Sequence, residues 1–294
     1  MNNELKIFVP GHITGFFEII NNENPLLKGS RGAGITLDEG VVTQTSVCEG
    51  NGSLNITING KVDKRNPISQ TCVDIILKKY NLDISCYDID INHDVSLPIA
   101  AGFGTSAAFA LGISFTLPKL LGLNISFKEA GDIAHLTEIS QSSGLGDVIC
   151  ELYGGCVMRL KEGSPTNAII DKINITRPIY VISKSIGLLE TSQIIENPHH
   201  QMMINKSGSI LLDDLRKNPS IENFIKLSRT FSQKTQLISP ELYEILEIFD
   251  EESIGSSMAM LGNTAFSLSY TPDTNVEKCN ITKINTTGVE FKNK

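Results

Sequence analysis

The stretch Leu97–Ala108 reads L-P-I-A-A-G-F-G-T-S-A-A and does most to decide the fold. Its glycines, Gly102 and Gly104, let the backbone approach a ligand closely and adopt conformations that other residues rarely take. The residues that follow predict a helix from Thr105 to about Leu121. A helix N-terminus presents unpaired N–H groups and the positive end of the helix dipole, so it suits an anion such as phosphate. The stretch therefore predicts a nucleotide-phosphate site.

Two other interpretations of this stretch stay open. The sequence contains no Walker-type P-loop, but Gly102, Gly104 and Ala107 fit the dinucleotide fingerprint G-x-G-x-x-A. That fingerprint needs a strand directly before it and another strand after its helix. Here Pro98 interrupts the approach, and a second helix containing Glu129 is predicted where the strand is required. The other alternative is a helix start rich in Gly and Ala that binds no ligand.

The composition is that of an ordinary globular protein, with 294 residues, 40% hydrophobic and 20% charged. A formal net charge of −8 argues against a nucleic-acid or anionic-membrane surface. No run of residues is apolar enough to span a membrane, and the N-terminus lacks the features of a signal peptide, so we expect a cytoplasmic protein. The 6 cysteines are scattered without a C-x-x-C pair, which argues against a structural zinc site.

Outward from the central stretch, hydrophobic patterns predict an alternation of strands and helices. In the first half we expect strands at 5–9, 35–47, 54–58, 87–91 and 156–160, a glycine-rich loop at 28–34, and helices at 67–80, 105–121, 126–141 and 147–153. Pro10-Gly11 is expected to end the first strand, and 54–58 to form a hairpin with 35–47.

The second half is expected to begin after a polar segment at 161–167, which divides the chain into domains 1–165 and 166–294. There we expect strands at 178–183, 257–261, 265–270 and 281–285, and helices at 198–216, 221–236 and 240–252.

The central stretch resembles the ATP-binding motif P-x-x-x-G-L-G-S-S-A-A of the GHMP kinases, which include galactokinase, homoserine kinase and mevalonate kinase. The matching residues are Pro98, Gly102, Gly104, Ser106, Ala107 and Ala108, with Phe103 in place of Leu and Thr105 in place of the first Ser. The segment Gly144–Asp147 is similar to the family's Gly-x-x-Asp step, which carries the catalytic aspartate. Glu138 lies on the intervening helix, where the family has a magnesium-binding acid.

Within this superfamily the chain is most similar to the pantoate kinases of archaea. The segments that carry this resemblance are V-P-G-H-I-T-G-F-F at 9–17, G-S-R-G-A-G at 29–34, 141–147 followed by Arg159, and M-L-G-N-T at 260–264. The chain also departs from other GHMP kinases. His12 replaces the lysine of their early P-G-K segment, and the late segment 256–262 has few glycines.

The resemblance implies a mixed α/β (α+β) fold of two domains. The first is an N-terminal α/β domain with a left-handed βαβ unit, and the second is a C-terminal α+β domain. ATP and substrate would lie in the cleft between them, and members are often homodimers. The implied reaction transfers the γ-phosphate of ATP to a hydroxyl of a small acid, here pantoate. A kinase for another small hydroxy acid (homoserine, shikimate or mevalonate) and a nucleotide-binding protein without turnover are the alternatives.

The resemblance also implies roles for individual residues. ATP would bind to Pro98, Gly102, Phe103, Gly104, Thr105, Ser106 and Ala107. Mg²⁺ would be held by Ser106 and Glu138, and Asp147 would accept or orient the proton of the attacking hydroxyl. The candidates for substrate binding are Ser30, Arg31, His135, Arg159 and Thr191. Purely structural roles stay open: a helix cap for Asp147, a solvated carboxylate for Glu138, and a surface ion pair for Arg159.

Overall fold

The first sheet is built around two long antiparallel strands, β1 (Glu4–Ile20) and β2 (Gly29–Glu49). The computed structural model describes residues 4–63, 66–187 and 198–292. The other strands of this sheet are β3 (Leu54–Ile58), β4 (Lys61–Val62), β5 (Tyr87–Val95), β6 (Cys156–Lys161), β7 (Ile169–Ile173) and β12 (Glu290–Phe291). The strand order is β12-β1-β2-β5-β3-β4, with β6 pairing with β2 and β7 with β6.

Two predictions for strands β1 and β2 are wrong. Strand β1 does not end at Pro10-Gly11 but continues to Ile20, with shifts of register between Pro10 and His12 and again between Thr14 and Phe16. Such bulges tolerate a proline within a strand. The expected loop at 28–34 is likewise the start of β2. One of its glycines, Gly34, leaves the space that the His12 ring occupies.

The sheet contains one βαβ unit. Strand β3 pairs in parallel with β5, and α1 (Pro67–Lys79) connects them. The expected hairpin between 35–47 and 54–58 is therefore wrong, because β5 lies between β2 and β3. The left-handed crossover that the family resemblance implies stays a prediction.

Three helices after α1 position the central stretch. They are α2 (Thr105–Leu120), α3 (Phe127–Gln141) and α4 (Asp147–Tyr153), close to their predicted bounds. Helix α2 packs against β1, β2 and α3. Because α3 follows α2 where a dinucleotide-binding fold needs a strand, the dinucleotide interpretation is excluded.

The second sheet has the order β11-β8-β10-β9. Its strands are β8 (Tyr180–Gly187), β9 (Gly255–Met258), β10 (Asn263–Ser269) and β11 (Asn280–Lys283). Three helices accompany it: α5 (Pro198–Lys217), α6 (Ile221–Lys234) and α7 (Pro240–Glu252). The predicted elements of this half thus exist, with bounds shifted by a few residues.

One hydrophobic core joins the two halves. Phe16 of β1 lies 6.4 Å, ring centre to ring centre, from both Phe224 and Phe231 of α6. The sequence pattern did not predict β7, which follows the polar segment and joins the first sheet. The domain boundary at residue 165 stays a prediction. Among the described residues, no helix is both long enough and apolar enough to cross a membrane.

Candidate active site

The segment before α2 is held by both halves of the molecule. The backbone N–H of His12 donates to the carbonyl of Phe103 at 2.9 Å, and the Thr264 hydroxyl donates to the carbonyl of Ala101 at 2.7 Å. These bonds fix 101–104 between β1 and the start of β10. The late segment 256–262 also packs against this loop, since a Cβ at Gly262 would overlap the backbone of Ala101 and Gly102.

Gly104 forms the N-cap of α2 in the left-handed conformation, with a φ of 68°. No side chain caps the helix, so the N–H groups of its first turn have no side-chain acceptor. A Cβ at Gly104 would overlap the buried carboxyl of Glu151 on α4. Both the conformation and the space therefore require glycine here. This loop and helix end have the properties of an anion site.

A cavity of 470 Å³ opens in front of this helix end. Its wall includes the phosphate-loop residues Gly102–Ser106, the turn Ser142–Asp147, Thr14, Ser30 and Arg159. Apolar side chains complete it: Phe17, Ile68, Ile99, Phe109, Met260 and Leu261. The cavity thus brings together residues from β1, β2, α2, α4 and β6.

Asp147 is the first residue of α4 and faces the cavity with 25% of its side chain exposed. Its Oδ1 lies 2.6 Å from Nδ1 of the fully buried His12. Burial alone would lower the pKa of His12, but Cys150 and Asp147 raise it to about 9. Although burial opposes it, His12 and Arg159 hold the pKa of Asp147 below its ordinary value. Each partner of the pair therefore favours the charged form of the other.

Glu138 of α3 is buried beside Asp147. Burial first, and then the charge of Asp147, raise its pKa to about 7, while contacts with Ser143 and Ser106 oppose the shift. Its Oε1 accepts a hydrogen bond from the Ser143 hydroxyl at 2.7 Å, and its Oε2 is buried with no partner. This burial excludes the solvated carboxylate that the sequence left open.

The donors around Glu138 fit a magnesium ion. Carboxylate and hydroxyl oxygens, here from Glu138 and Ser106, are ligands that Mg²⁺ prefers, and Glu138 Oε2 is a buried oxygen without a partner. Within the described ranges, no group of three His, Cys, Asp or Glu side chains could hold a metal on its own. A Mg²⁺ ion here would complete its coordination with phosphate and water, as it commonly does.

Arg159 of β6 also lines the cavity and is only 1% exposed. Its Nη1 donates to the sulfur of Cys150 at 2.9 Å, and its buried Nε has no partner. In the described part of the chain Arg159 forms no ion pair, which excludes the surface pair left open by the sequence. A buried guanidinium without a carboxylate partner is costly unless an anion joins it. Its position therefore suits an anionic ligand.

Relatives identify the family of this chain. A family model described as the GHMP kinases N terminal domain matches residues 67–155. A pantoate kinase of Methanocaldococcus jannaschii is 38% identical over 263 residues, which are 90% of this chain and 92% of that protein. A pantoate kinase of Thermococcus kodakarensis is 32% identical over 267 residues, which are 90% of this chain and 87% of that protein.

The chain belongs to the pantoate kinase family of the GHMP kinases. A solved structure described as a phosphotransferase related to the CoA biosynthesis pathway has a TM-score of 0.86 and 28% identity, and the match covers 98% of both chains. Homoserine kinase from Cytophaga hutchinsonii shares the fold alone, with a TM-score of 0.70, 16% identity, and coverage of 99% of this chain and 98% of that chain. The predicted family and fold class are confirmed, and the protein is an ATP-dependent kinase.

In this GHMP kinase not all predicted site residues reach the cavity. Successive strand residues point to opposite faces, so Ser30 and Arg31 cannot both face it. Ser30 does, whereas Arg31 forms an ion pair with Glu18 of β1. His135 does not line the cavity either, because its Nε2 contacts the carbonyls of Pro25 and Lys28 at 3.1 and 3.0 Å.

Two more predicted residues do not line the cavity. Pro98 is exposed and precedes the phosphate loop, and Ala107 on α2 is fully buried. Neither lines the cavity, although both shape the segment that does. Thr191 lies outside the described residues.

The sequence did not identify several residues of this kinase site. Cys150 and Glu151 lie three and four residues after Asp147, so one face of α4 carries all three. That spacing was the available signal. Thr14 has no predicted role, yet its hydroxyl lies 3.5 Å from Asp147. His12 replaces the lysine of other GHMP kinases, and the structure pairs it with the predicted catalytic aspartate.

Proposed function

We propose that this kinase transfers the γ-phosphate of ATP to the primary hydroxyl of (R)-pantoate, giving (R)-4-phosphopantoate and ADP. The observation that carries the proposal is one cavity whose wall includes an uncapped helix N-terminus, the Asp147 carboxyl group and the buried Arg159 with an unpartnered Nε. A nucleotide phosphate, a hydroxyl and a carboxylate are the three groups that such a wall would bind.

The nucleotide end of the cavity is the phosphate loop. The N–H groups at the start of α2 would bind the phosphates of ATP, and the helix dipole would favour their charge. Ser106 and Glu138 would hold Mg²⁺. A bound Mg²⁺ supplies positive charge that stabilises the phosphates during transfer.

The acceptor end of the cavity would bind pantoate by its carboxylate. Arg159 offers its unpartnered Nε, and an arginine–carboxylate pair is among the strongest polar contacts in proteins. Ser30 lies beside it, since a Cβ at Gly146 would overlap both Ser30 Oγ and Arg159 Nε. This arrangement would turn the hydroxyl at the far end of pantoate toward Asp147.

Asp147 would orient this hydroxyl and take its proton late in the reaction. Its lowered pKa makes it a weak base, because the charge of His12 stabilises its ionised form. Early proton removal is not required, since phosphoryl transfer depends mainly on positioning and charge stabilisation. His12 would supply the positive charge that a lysine supplies in other GHMP kinases.

Coupled ADP release tests the proposal. The protein is given Mg²⁺-ATP and, in turn, D-pantoate, homoserine, shikimate and mevalonate. We expect ADP release with pantoate alone. Release with another acceptor would keep the kinase and overturn the substrate. ATP binding without release for any of the four would favour the non-catalytic nucleotide-binding alternative.

We also propose a homodimer in the cytoplasm, on the basis of the family resemblance. Light scattering on the purified protein measures the mass directly. A mass of twice 32.1 kDa is expected, and a monomeric mass at assay concentration would contradict the dimer.

A further inference from the structure

Cys150 is a buried side chain that the proposed reaction does not use. It lies on α4, and its sulfur accepts a hydrogen bond from Arg159 Nη1 at 2.9 Å. It is also an electrostatic neighbour of His12 on β1. Cys150 thus contacts Arg159, which we propose binds the substrate carboxylate. It also lies near His12, the partner of Asp147, which we propose orients the substrate hydroxyl.

Arg159 needs such a contact if it is to recognise a carboxylate. A guanidinium on a flexible side chain gains specificity only when its orientation is fixed. Here one nitrogen is held by Cys150, while Nε stays buried and unpartnered at the cavity. Among the described residues, Cys150 is the side chain to which Arg159 donates.

The two ends of the substrate would then be tied to a single helix. Asp147 and Cys150 are three residues apart on α4, so they share one face of the helix. Asp147 would face the hydroxyl directly, whereas Cys150 would act on the carboxylate through Arg159. The helix therefore sets the distance between the two groups that hold one acceptor molecule.

The electrostatics agree with this arrangement. Burial alone would raise the pKa of the Cys150 thiol, but His12 and Arg159 lower it below its ordinary value. The sulfur therefore carries more negative character than an ordinary buried thiol, and this favours its contact with the guanidinium.

We propose that Cys150 is a positioning residue for the acceptor, which orients Arg159 toward the carboxylate of pantoate and so sets the affinity for that substrate. This inference rests on the proposed pantoate kinase activity. A positioning role differs from a packing role, because loss of packing would lower stability and would change KM for ATP and for pantoate alike.

Three variants separate these roles. Cys150→Ala removes the sulfur, and Cys150→Ser retains a hydrogen-bond acceptor for Arg159. Cys72→Ala is the matched control, because Cys72 is equally buried but lies on α1 and contacts the carbonyl of Ala110. Steady-state kinetics with pantoate and ATP are measured together with thermal unfolding.

Cys150→Ala is expected to raise KM for pantoate about tenfold, the effect of one hydrogen bond to a charged group, with KM for ATP nearly unchanged. Cys150→Ser should recover most of this loss. Cys72→Ala should lose stability without a change in either KM. The triol in which the pantoate carboxylate is reduced to an alcohol should be an equally poor acceptor for the parent and for Cys150→Ala, because Arg159 then has no carboxylate to bind.

Three results would overturn the inference. If the parent is active and Cys150→Ala has the same KM for pantoate as the parent, the role of Cys150 alone is wrong. The same conclusion follows if Cys150→Ala raises KM equally for ATP and for pantoate. A parent inactive with pantoate would overturn the proposed function, and this inference with it.

Discussion

The two ends of the cavity are built in different ways. The nucleotide end consists of backbone from one continuous segment, 101–106, fixed by hydrogen bonds to Phe103 and Ala101. The acceptor end consists of buried side chains from β1, α4 and β6, chief among them His12, Asp147 and Arg159. The first depends on main-chain conformation, and the second on charges placed together by the fold.

This difference explains what each end tolerates. Backbone N–H groups are present whatever the side chain, so the loop that would bind the phosphates is sensitive mainly where a Cβ is excluded. The acceptor end holds an ion pair and a guanidinium away from water, where removing one charge leaves another unpaired. We therefore expect the largest effects of substitution at the acceptor end.

The largest effect is expected for Asp147→Asn, which keeps the shape of the side chain but removes its charge. Turnover should fall by about 1000-fold or more, because the hydroxyl loses its carboxylate partner. Binding of a non-hydrolysable ATP analogue, measured by calorimetry, should survive. Asp74→Asn on the exposed face of α1 is the control. Near-normal turnover would remove Asp147 from the mechanism.

Arg159→Lys should impair the use of pantoate without impairing the use of ATP. Lysine keeps the positive charge but loses the planar donors, so KM for pantoate should rise by about 10- to 100-fold, with KM for ATP unchanged. Arg31→Lys is a matched control, since Arg31 lies one strand away and pairs with Glu18. If Arg31→Lys impaired pantoate use and Arg159→Lys did not, the assignment of the carboxylate site would be wrong.

Gly104→Ala is the corresponding change at the nucleotide end. A Cβ at a φ of 68°, in contact with Glu151, should distort the loop and raise KM for ATP about tenfold, with little change for pantoate. Gly60→Ala is the control, because Gly60 also has a positive φ, 73°, but has open space around it. This substitution should leave KM for ATP and KM for pantoate unchanged. A selective loss of pantoate affinity in Gly104→Ala would break the proposed division of the cavity.

Glu138→Gln tests the magnesium ligand. The amide offers a weaker oxygen ligand than the carboxylate, so the Mg²⁺ concentration for half-maximal activity should rise about tenfold. Glu129→Gln on the same helix, where Glu129 pairs with Lys79 away from the cavity, serves as the control. An unchanged magnesium titration in Glu138→Gln would contradict the assignment.

Glu151→Gln should have the smallest effect on turnover and a clear effect on stability. Burial, followed by the charges of Asp147, Glu138 and Cys150, raises the pKa of Glu151 well above its ordinary value, so the folded protein keeps its proton. The unfolded chain loses that proton above about pH 4.5. The stability contribution of Glu151 is therefore complete below that pH and is lost as pH rises toward the folded-state pKa.

Urea unfolding from pH 5 to pH 8 measures this linkage. As pH rises, the free energy of unfolding of the parent should fall relative to that of Glu151→Gln by up to about 1.4 kcal/mol per pH unit. This slope does not depend on any constant difference in stability between the two proteins. A difference that stays constant with pH would mean that Glu151 is ionised in the folded protein.

The sequence predicted the two ends of the cavity unequally. The phosphate loop is local, so its glycines and hydroxyl residues could be identified as one motif, and the positive φ of Gly104 agrees with that interpretation. The partners of Asp147 come from positions 135 residues before it and 12 residues after it, and no local pattern connects them. Strand alternation would have separated Ser30 from Arg31, had 28–34 been predicted as a strand.

The central claim is tested most directly by phosphorus NMR of the product formed from ATP and (R)-pantoate. We predict one new phosphomonoester signal coupled to the protons of a CH₂ group, which identifies the primary hydroxyl as the acceptor. Coupling to a single CH proton would place the phosphate on the secondary hydroxyl. Release of inorganic phosphate without any phosphoester would contradict the assignment of this cavity as a pantoate kinase site.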